Sequence, residues 1–377
     1  MCALERLAGL CCDAAKPKKE YLYRCTVFTD SPTVTKAGDR PKAFRSNAFN
    51  KPLPILGERS CLVMKAISWL LEGDISIQYM THRDLIGSDG ITLSQMQKRI
   101  PKEGFGAKFL SRQNESGHWG SYYYQPKWTS THYTLLDIKN ICAPETLKPC
   151  REMISRMFDE CMNEAGGMNL SKYNHPSDIC VDGMILNYAS YFCKEESRLV
   201  RLVNHLLSVQ KKDGGFTWDM NSDKSDPHTT ICVLEGFAQF QASGLQHRRW
   251  DIEAAKTDAA EFLLRNRLFF DDVDKRFRKL SYPYRYRYDL LRAMEYFARQ
   301  NNPFDTRMWP AMNWLQEKKQ RDGLWYLENE HKGKAHFTME EIRSPSRFVT
   351  LRALYILVFP EQARTRAWTP LLAGFLV

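Results

Sequence analysis

From Arg59 onward, apolar residues recur at three- and four-residue spacing, the period of a helix with one buried face. SCLVMKAISWLLEGD, SIQYMTHRDLIG and LSQMQKRI carry it first. Five more strongly apolar stretches follow: THYTLLDIKNI from Thr131, DICVDGMILNYASYF from Asp178, PHTTICVLEGFAQF from Pro227, YRYDLLRAMEYFA from Tyr286 and SRFVTLRALYILVF from Ser346. Their starts lie roughly 45 to 60 residues apart, room for two helices and a loop. Between them run amphipathic segments such as PETLKPCREMISRMFDECMNEA, ESRLVRLVNHLLSVQ and DIEAAKTDAAEFLLRNRLF, charged on one face as an outer layer requires. Strand-type alternation is almost absent. The pattern predicts an all-α fold of repeated helix pairs.

A punctuation mark recurs in phase with that period. RQNESGHWG carries Gln113, Gly117 and Trp119; VQKKDGGFTW carries Gln210, Gly214 and Phe216; KKQRDGLWYL carries Lys319, Gly323 and Trp325. This is Q-x-x-x-G-x-aromatic, with lysine for glutamine in the last copy. Glycine ends the outer helix, the aromatic folds over the turn, and glutamine ties the helix end to the loop. Residues 1–58, punctuated by KPKKE, SPTVTKAGDRPK and NKPLP, hold no sustained apolar period and read as a loop-rich or partly disordered extension before a helical domain at 59–377.

Composition narrows the class. With 377 residues, 43% of them apolar, the chain can bury a large core, and no run approaches the ~20 apolar residues of a membrane span. No basic segment followed by an apolar stretch and cleavage site opens the chain, so a cytoplasmic address is expected. Eleven cysteines, an odd number without a CxxC pair, read as reduced thiols. The net charge of +10 suits an anionic partner, but bases and acids are interspersed and no basic block with interleaved aromatics marks a nucleic-acid track.

Over about residues 110 to 361 the repeat and its punctuation resemble the prenyltransferase and squalene-cyclase repeat superfamily, and the phrases WLLEGD, DICVDGM and PHTTICVLEGF are similar in tone to stand-alone bacterial prenyltransferase-like repeat proteins. The resemblance implies an α/α toroid, inner and outer rings of helices in about five to six helix-pair repeats. Class II cyclases of that superfamily protonate an alkene with an Asp-x-Asp-Asp acid. No such motif occurs here; Asp271, Asp272 and Asp274 stand in the wrong order in a charged turn. Protein prenyltransferase β subunits hold zinc with an Asp and a Cys two residues apart and a later His. Asp178 and Cys180 supply the spacing, in DIC rather than Asp-Gly-Cys, and His228 the later position. The resemblance therefore implies zinc on Asp178, Cys180 and His228, with a thiol-type chemistry at the open position. The competing reading makes Cys180 a small buried thiol at a helix contact and His228 a residue hydrogen-bonded to a loop.

In a toroid the inner helices run the same way, so their first residues ring one end of the cavity. Those positions read His132, Asp178 with Cys180, His228, Arg285 with Arg287, and Arg347. Two histidines, three arginines and several helix N-termini would suit a diphosphate or carboxylate. Tyr133, Tyr188, Tyr286 and Tyr288 are candidate walls for an apolar chain or carbocation below it. The function implied is an isoprenoid- or terpenoid-processing enzyme leaning toward transferase, its lipid-like ligand in the central cavity and its anionic head at a zinc-bearing cationic rim. The alternative is a non-catalytic toroid that binds or scaffolds.

Overall fold

The computed structural model describes residues 56–358 apart from 172, 174 and 301–303. The expected extension at 1–58 lies almost wholly outside the described residues. Contacts divide the chain after Cys61, and the architecture below is that of the unit beginning at Leu62. Among the described residues the regular structure is helical, with isolated β-bridges.

Thirteen α-helices follow one another among the described residues: α1 Leu56–Leu71, α2 Ile75–Thr81 with a π-turn at His82–Ile86, α3 Gly90–Gln97, α4 Gly104–Leu110, α5 Thr131–Asn140, α6 Lys148–Cys161, α7 Ile179–Phe192, α8 Leu199–Ser208, α9 Pro227–Ala242, α10 Arg249–Arg265, α11 Leu290–Arg299, α12 Trp309–Glu317 and α13 Arg347–Val358. The five most apolar stretches became α5, α7, α9, α11 and α13. Helix α7 is buried at every position but Tyr191, so it is enclosed on all sides. By contrast α8 buries only Leu199, Leu202, Val203 and Leu206, one face of an outer helix. Packing runs from α5 to α7 to α9, from α11 to α13 to α2, and through α4 back to α5. The step from α9 to α11 is made by side chains: Arg292 grips Glu235 at 2.7 and 2.8 Å, and His228 Nδ1 accepts from the Tyr288 amide at 2.8 Å. Helices α6, α8, α10 and α12 pack behind these.

Aspartates start most of the inner helices. Asp74, Asp178, Asp226 and Asp289 each accept from first-turn amides of α2, α7, α9 and α11, satisfying donors that a helix start leaves free. At α13, Glu340 does the same from outside the helix, accepting from Arg347 N and Phe348 N.

The turns show how the repeat is built. Gln113 and Gln210 donate to Gly117 O and Gly214 O at 2.8 and 2.7 Å, and the glycines take φ +83° and +89°, the left-handed region that favours them. Trp119 and Trp325 each donate their indole to a carbonyl of the helix before the turn, Phe109 O of α4 and Leu315 O of α12. The next inner helix then latches the turn: Thr131, Thr230 and Thr350 take the amides of Trp119, Phe216 and Trp325 and return a bond to the same residue's carbonyl at 3.2 Å. A fourth turn escaped the sequence pattern. Met162, Gly166 (φ +90°) and Met168 hold the same positions, and Asp182 replaces the threonine, accepting from Met168 N at 2.9 Å.

Helices α7 and α9 touch backbone to backbone. A Cβ on Gly183 would lie 2.7 Å from the carbonyl carbon of Cys232 and one on Gly236 would lie 2.5 Å from Gly183 O. Only glycine permits that approach.

Candidate functional site

The larger cavity, about 770 Å³, is walled by the C-terminal halves of α2, α5, α7 and α9, by α11 and α13 from their first turns onward, and by Tyr282 and Tyr284 ahead of α11. Its chemistry is a buried chain of charges. Arg83 binds Asp84 at 2.6 and 2.8 Å, Asp84 binds Arg299 at 2.9 Å, Arg299 binds Glu295 at 2.8 Å, and Glu295 binds Arg352. Burial alone would raise the Asp84 carboxyl, but Arg299 and Arg83 outweigh it and hold it down to about 2. The same contest at Glu295, won by Arg352 and Arg299, also ends at about 2. Beside the chain stands the Arg292–Glu235 pair, and the Tyr284 ring lies between two guanidiniums, 4.5 Å from Arg292 and 4.7 Å from Arg352.

Counting along the chain leaves a surplus. Arg83, Arg299 and Arg352 share two carboxylates, Asp84 and Glu295. At Arg352, 4% exposed, Nη1 and Nη2 have no hydrogen-bond partner among the described residues. Asp289 feels Arg352 electrostatically without pairing with it; burial pushes that carboxyl up to about 6 against the pull of the arginine, and its Oδ2 is likewise unpartnered. Lys139, on the same cavity wall, makes no ion pair among the described residues, and burial lowers its ammonium below the ordinary range. Asn187, 3% exposed, also lines the cavity, and its buried Oδ1 has no partner among the described residues. Buried polar atoms are almost always satisfied, so these atoms are exceptions among the described residues.

The sequence-derived candidates lie elsewhere. None of them lines the larger cavity. Asp178 Oδ1 accepts from Cys180 N at 2.9 Å and Val181 N at 3.4 Å. The Cys180 thiol meets Cys232 Sγ at 3.6 Å, and that hydrogen bond together with burial pushes it well up. His228 keeps its Nδ1 on the Tyr288 amide and is lowered by burial. Zinc requires a thiolate and free donor atoms converging on one point. No group of three His, Cys, Asp or Glu side chains that could hold a metal ion occurs among the described residues, so these side chains as placed do not fit zinc.

His132 is buried, with Nδ1 3.2 Å from the Tyr188 hydroxyl and Nε2 without a partner among the described residues; burial, then Lys127, bring it down to about 3, a neutral ring. The Tyr133 and Tyr288 hydroxyls meet Tyr124 OH at 3.2 Å and Leu268 O at 2.7 Å, and Tyr188 donates to Met157 Sδ at 3.2 Å. Tyr286 stacks on Trp128 at 6.0 Å and 8°. Arg285 pairs with buried Asp137 at 3.0 Å and lies 4.9 Å from the Trp128 ring centroid. Arg287 faces Tyr286, while Arg347 turns away to Trp69, donating to its carbonyl at 3.2 Å. The structure thus brings His132, Tyr133, Arg285 and Tyr286 into one cluster around Trp128 and Tyr124, and leaves Arg347 out. Arg285 also borders a second cavity of about 260 Å³ with His331, His336 and Glu340.

Residues 328–346 explain why the N-terminal end is filled. Lys332 O accepts the Trp128 indole at 2.7 Å, His336 Nε2 meets Thr134 Oγ1 at 2.8 Å, and Glu340 caps α13. The missed residues did leave a signal. Glu235, Arg292, Glu295, Arg299 and Arg352 are charges embedded in otherwise apolar helices, and such positions demand partners.

No protein-family model and no curated protein matches the chain. Among solved structures, it is similar to the type II terpene cyclase MstE from Scytonema in its apo form, 15% identical over 68% of this chain and 96% of that one, with a TM-score of 0.28. It is similar also to a variant of that cyclase in complex with geranylgeranyl dihydroxybenzoate, 13% identical over 66% and 92% of the two chains, with a TM-score of 0.28.

Proposed function

We propose that the chain is an α/α toroid whose central cavity binds an amphipathic organic anion of the isoprenoid type, with the head on Arg352 and Lys139 and the hydrocarbon part along the tyrosine walls. The observation that carries this reading is the buried end of Arg352, a residue that lines the cavity and whose two terminal nitrogens have no hydrogen-bond partner among the described residues. A carboxylate or phosphate oxygen there gains charge-assisted bonds in a site of low dielectric. Tyr79, Tyr191, Tyr284, Tyr296 and Tyr355 supply aromatic faces for an unsaturated chain. Zinc has no part in this reading. The four acids that cap α2, α7, α9 and α11 act on backbone amides.

Isothermal titration with farnesyl diphosphate, a farnesyl-chain carboxylate and uncharged farnesol tests it. Either anion should bind at least tenfold more tightly than farnesol, and Arg352→Met should weaken the better anion about 10- to 150-fold, the worth of one charge-assisted hydrogen bond at ~1.5–3 kcal/mol. Equal binding of farnesol, or anion binding indifferent to Arg352→Met, overturns the reading. So does the absence of binding by all three, the outcome a pure scaffold gives.

A further inference from the structure

The two cavities share a wall. Tyr282 borders both the 770 Å³ cavity and the 260 Å³ cavity beyond it. It is 5% exposed, and its ring lies on Phe348 with centroids 3.8 Å apart and planes 13° apart. Phe348 in turn stacks on Phe105 at 6.0 Å, and Phe105 on Phe337 at 5.9 Å, so the stack continues as a layer of rings. Stacking is what holds Tyr282. Its hydroxyl has no hydrogen-bond partner among the described residues, and burial keeps the phenol neutral.

We infer that Tyr282 is an aromatic partition that sets how long a ligand the larger cavity accepts, an inference that rests on the organic-anion reading above. A chain whose head sits at Arg352 and Lys139 and whose tail runs along the axis toward the helix N-termini meets the Tyr282–Phe348 pair. On the far side lies further space, walled by Phe109, Phe337, Arg285 and His336. Tyr282 is the residue the two cavities share and no hydrogen bond anchors its hydroxyl among the described residues, so shortening that side chain opens the common wall without stranding a polar partner.

The probe is a series of saturated n-alkyl carboxylates from eight to eighteen carbons, below their micelle concentrations, titrated into the full chain. Each methylene placed in apolar surroundings tightens binding about fourfold. Affinity should climb at that rate with length, then break where the tail reaches the plate. In Tyr282→Ala the break should move to a chain longer by several methylenes, and in Tyr282→Phe it should stay where it was. Tyr282→Leu gives a smaller shift in the same direction and carries the test should the alanine variant not fold. If the unsubstituted protein binds no carboxylate of any length, the organic-anion reading has failed. If carboxylates bind but the break stands at the same length in the folded alanine or leucine variant, the partition alone is overturned.

Discussion

Glu295 sits between Arg299 and Arg352 with its side chain 13% exposed, and replacing it by glutamine strands one or both guanidiniums in the protein interior. Its carboxyl lies at about 2 in the folded chain against an ordinary 4.5, a depression of roughly 2.5 units at 1.36 kcal/mol each, so the charge contributes about 3 kcal/mol at neutral pH. The cost of removing one partner from a buried ion pair, ~3–5 kcal/mol, agrees. A unit of roughly 300 residues unfolds with about 0.6 kcal/mol per degree of entropy, which converts 3 kcal/mol into a fall of about 5 °C in Tm. Calorimetry of the unsubstituted chain, Glu295→Gln, Arg352→Met and the double variant measures this. The double variant should recover at least half of the loss, because the stranded charge is gone. The pH dependence has a fixed sign. A group depressed by folding stabilises fully above its unfolded value and loses that contribution as pH falls from about 4.5 toward 2, so Glu295→Gln should narrow the stability gap as acid is added. A fall in Tm below about 1.5 °C, or strict additivity in the double variant, would refute the claim that Glu295 holds the chain of charges together.

Two further outcomes follow from the packing. Gly183→Ala drives a methyl into the Cys232–Val233 backbone and should destabilise by ~1–3 kcal/mol in urea titration, with Gly236→Ala behaving alike; an unchanged midpoint would show that α7 and α9 do not touch there. Asp178→Ala should cost about 1 kcal/mol, the worth of an N-cap, and Asp178→Ser or Asp178→Asn should recover most of it, a recovery that a carboxylate serving as a metal ligand would not share.

Much of the secondary structure was legible because each apolar stretch obeys one period and is bounded by a cap. The acids before α7, α9 and α11 mark true helix starts, and their role at those starts is backbone capping. The fourth turn was hidden because Met162 and Met168 replace glutamine and aromatic. Methionine fills the same apolar niche, while Asn163 and Asp182 supply the polar bonds from positions that no pattern of Gln and Trp would flag. The cavity was missed for a different reason. Periodicity tells which side of a helix faces inward, but not which end of a bundle stays open. That depends on residues 328–346, a stretch without helical period whose backbone and side chains cover the N-termini of α5 and α13.

The threonine latches bear on how such a chain tolerates change. Thr131, Thr230 and Thr350 each secure the turn that immediately precedes their own helix, so every fastening closes within about a dozen to two dozen residues of sequence. Damage to one stays in its own neighbourhood, and the remaining turns keep their shape without it. The charges that line the cavity are the opposite case: the links from Asp84, in the turn after α2, to Arg299 of α11 and from Glu295 of α11 to Arg352 of α13 join segments far apart in the described sequence. Drift in sequence can therefore be absorbed turn by turn along the chain, but the cavity's charges answer only to coordinated replacement.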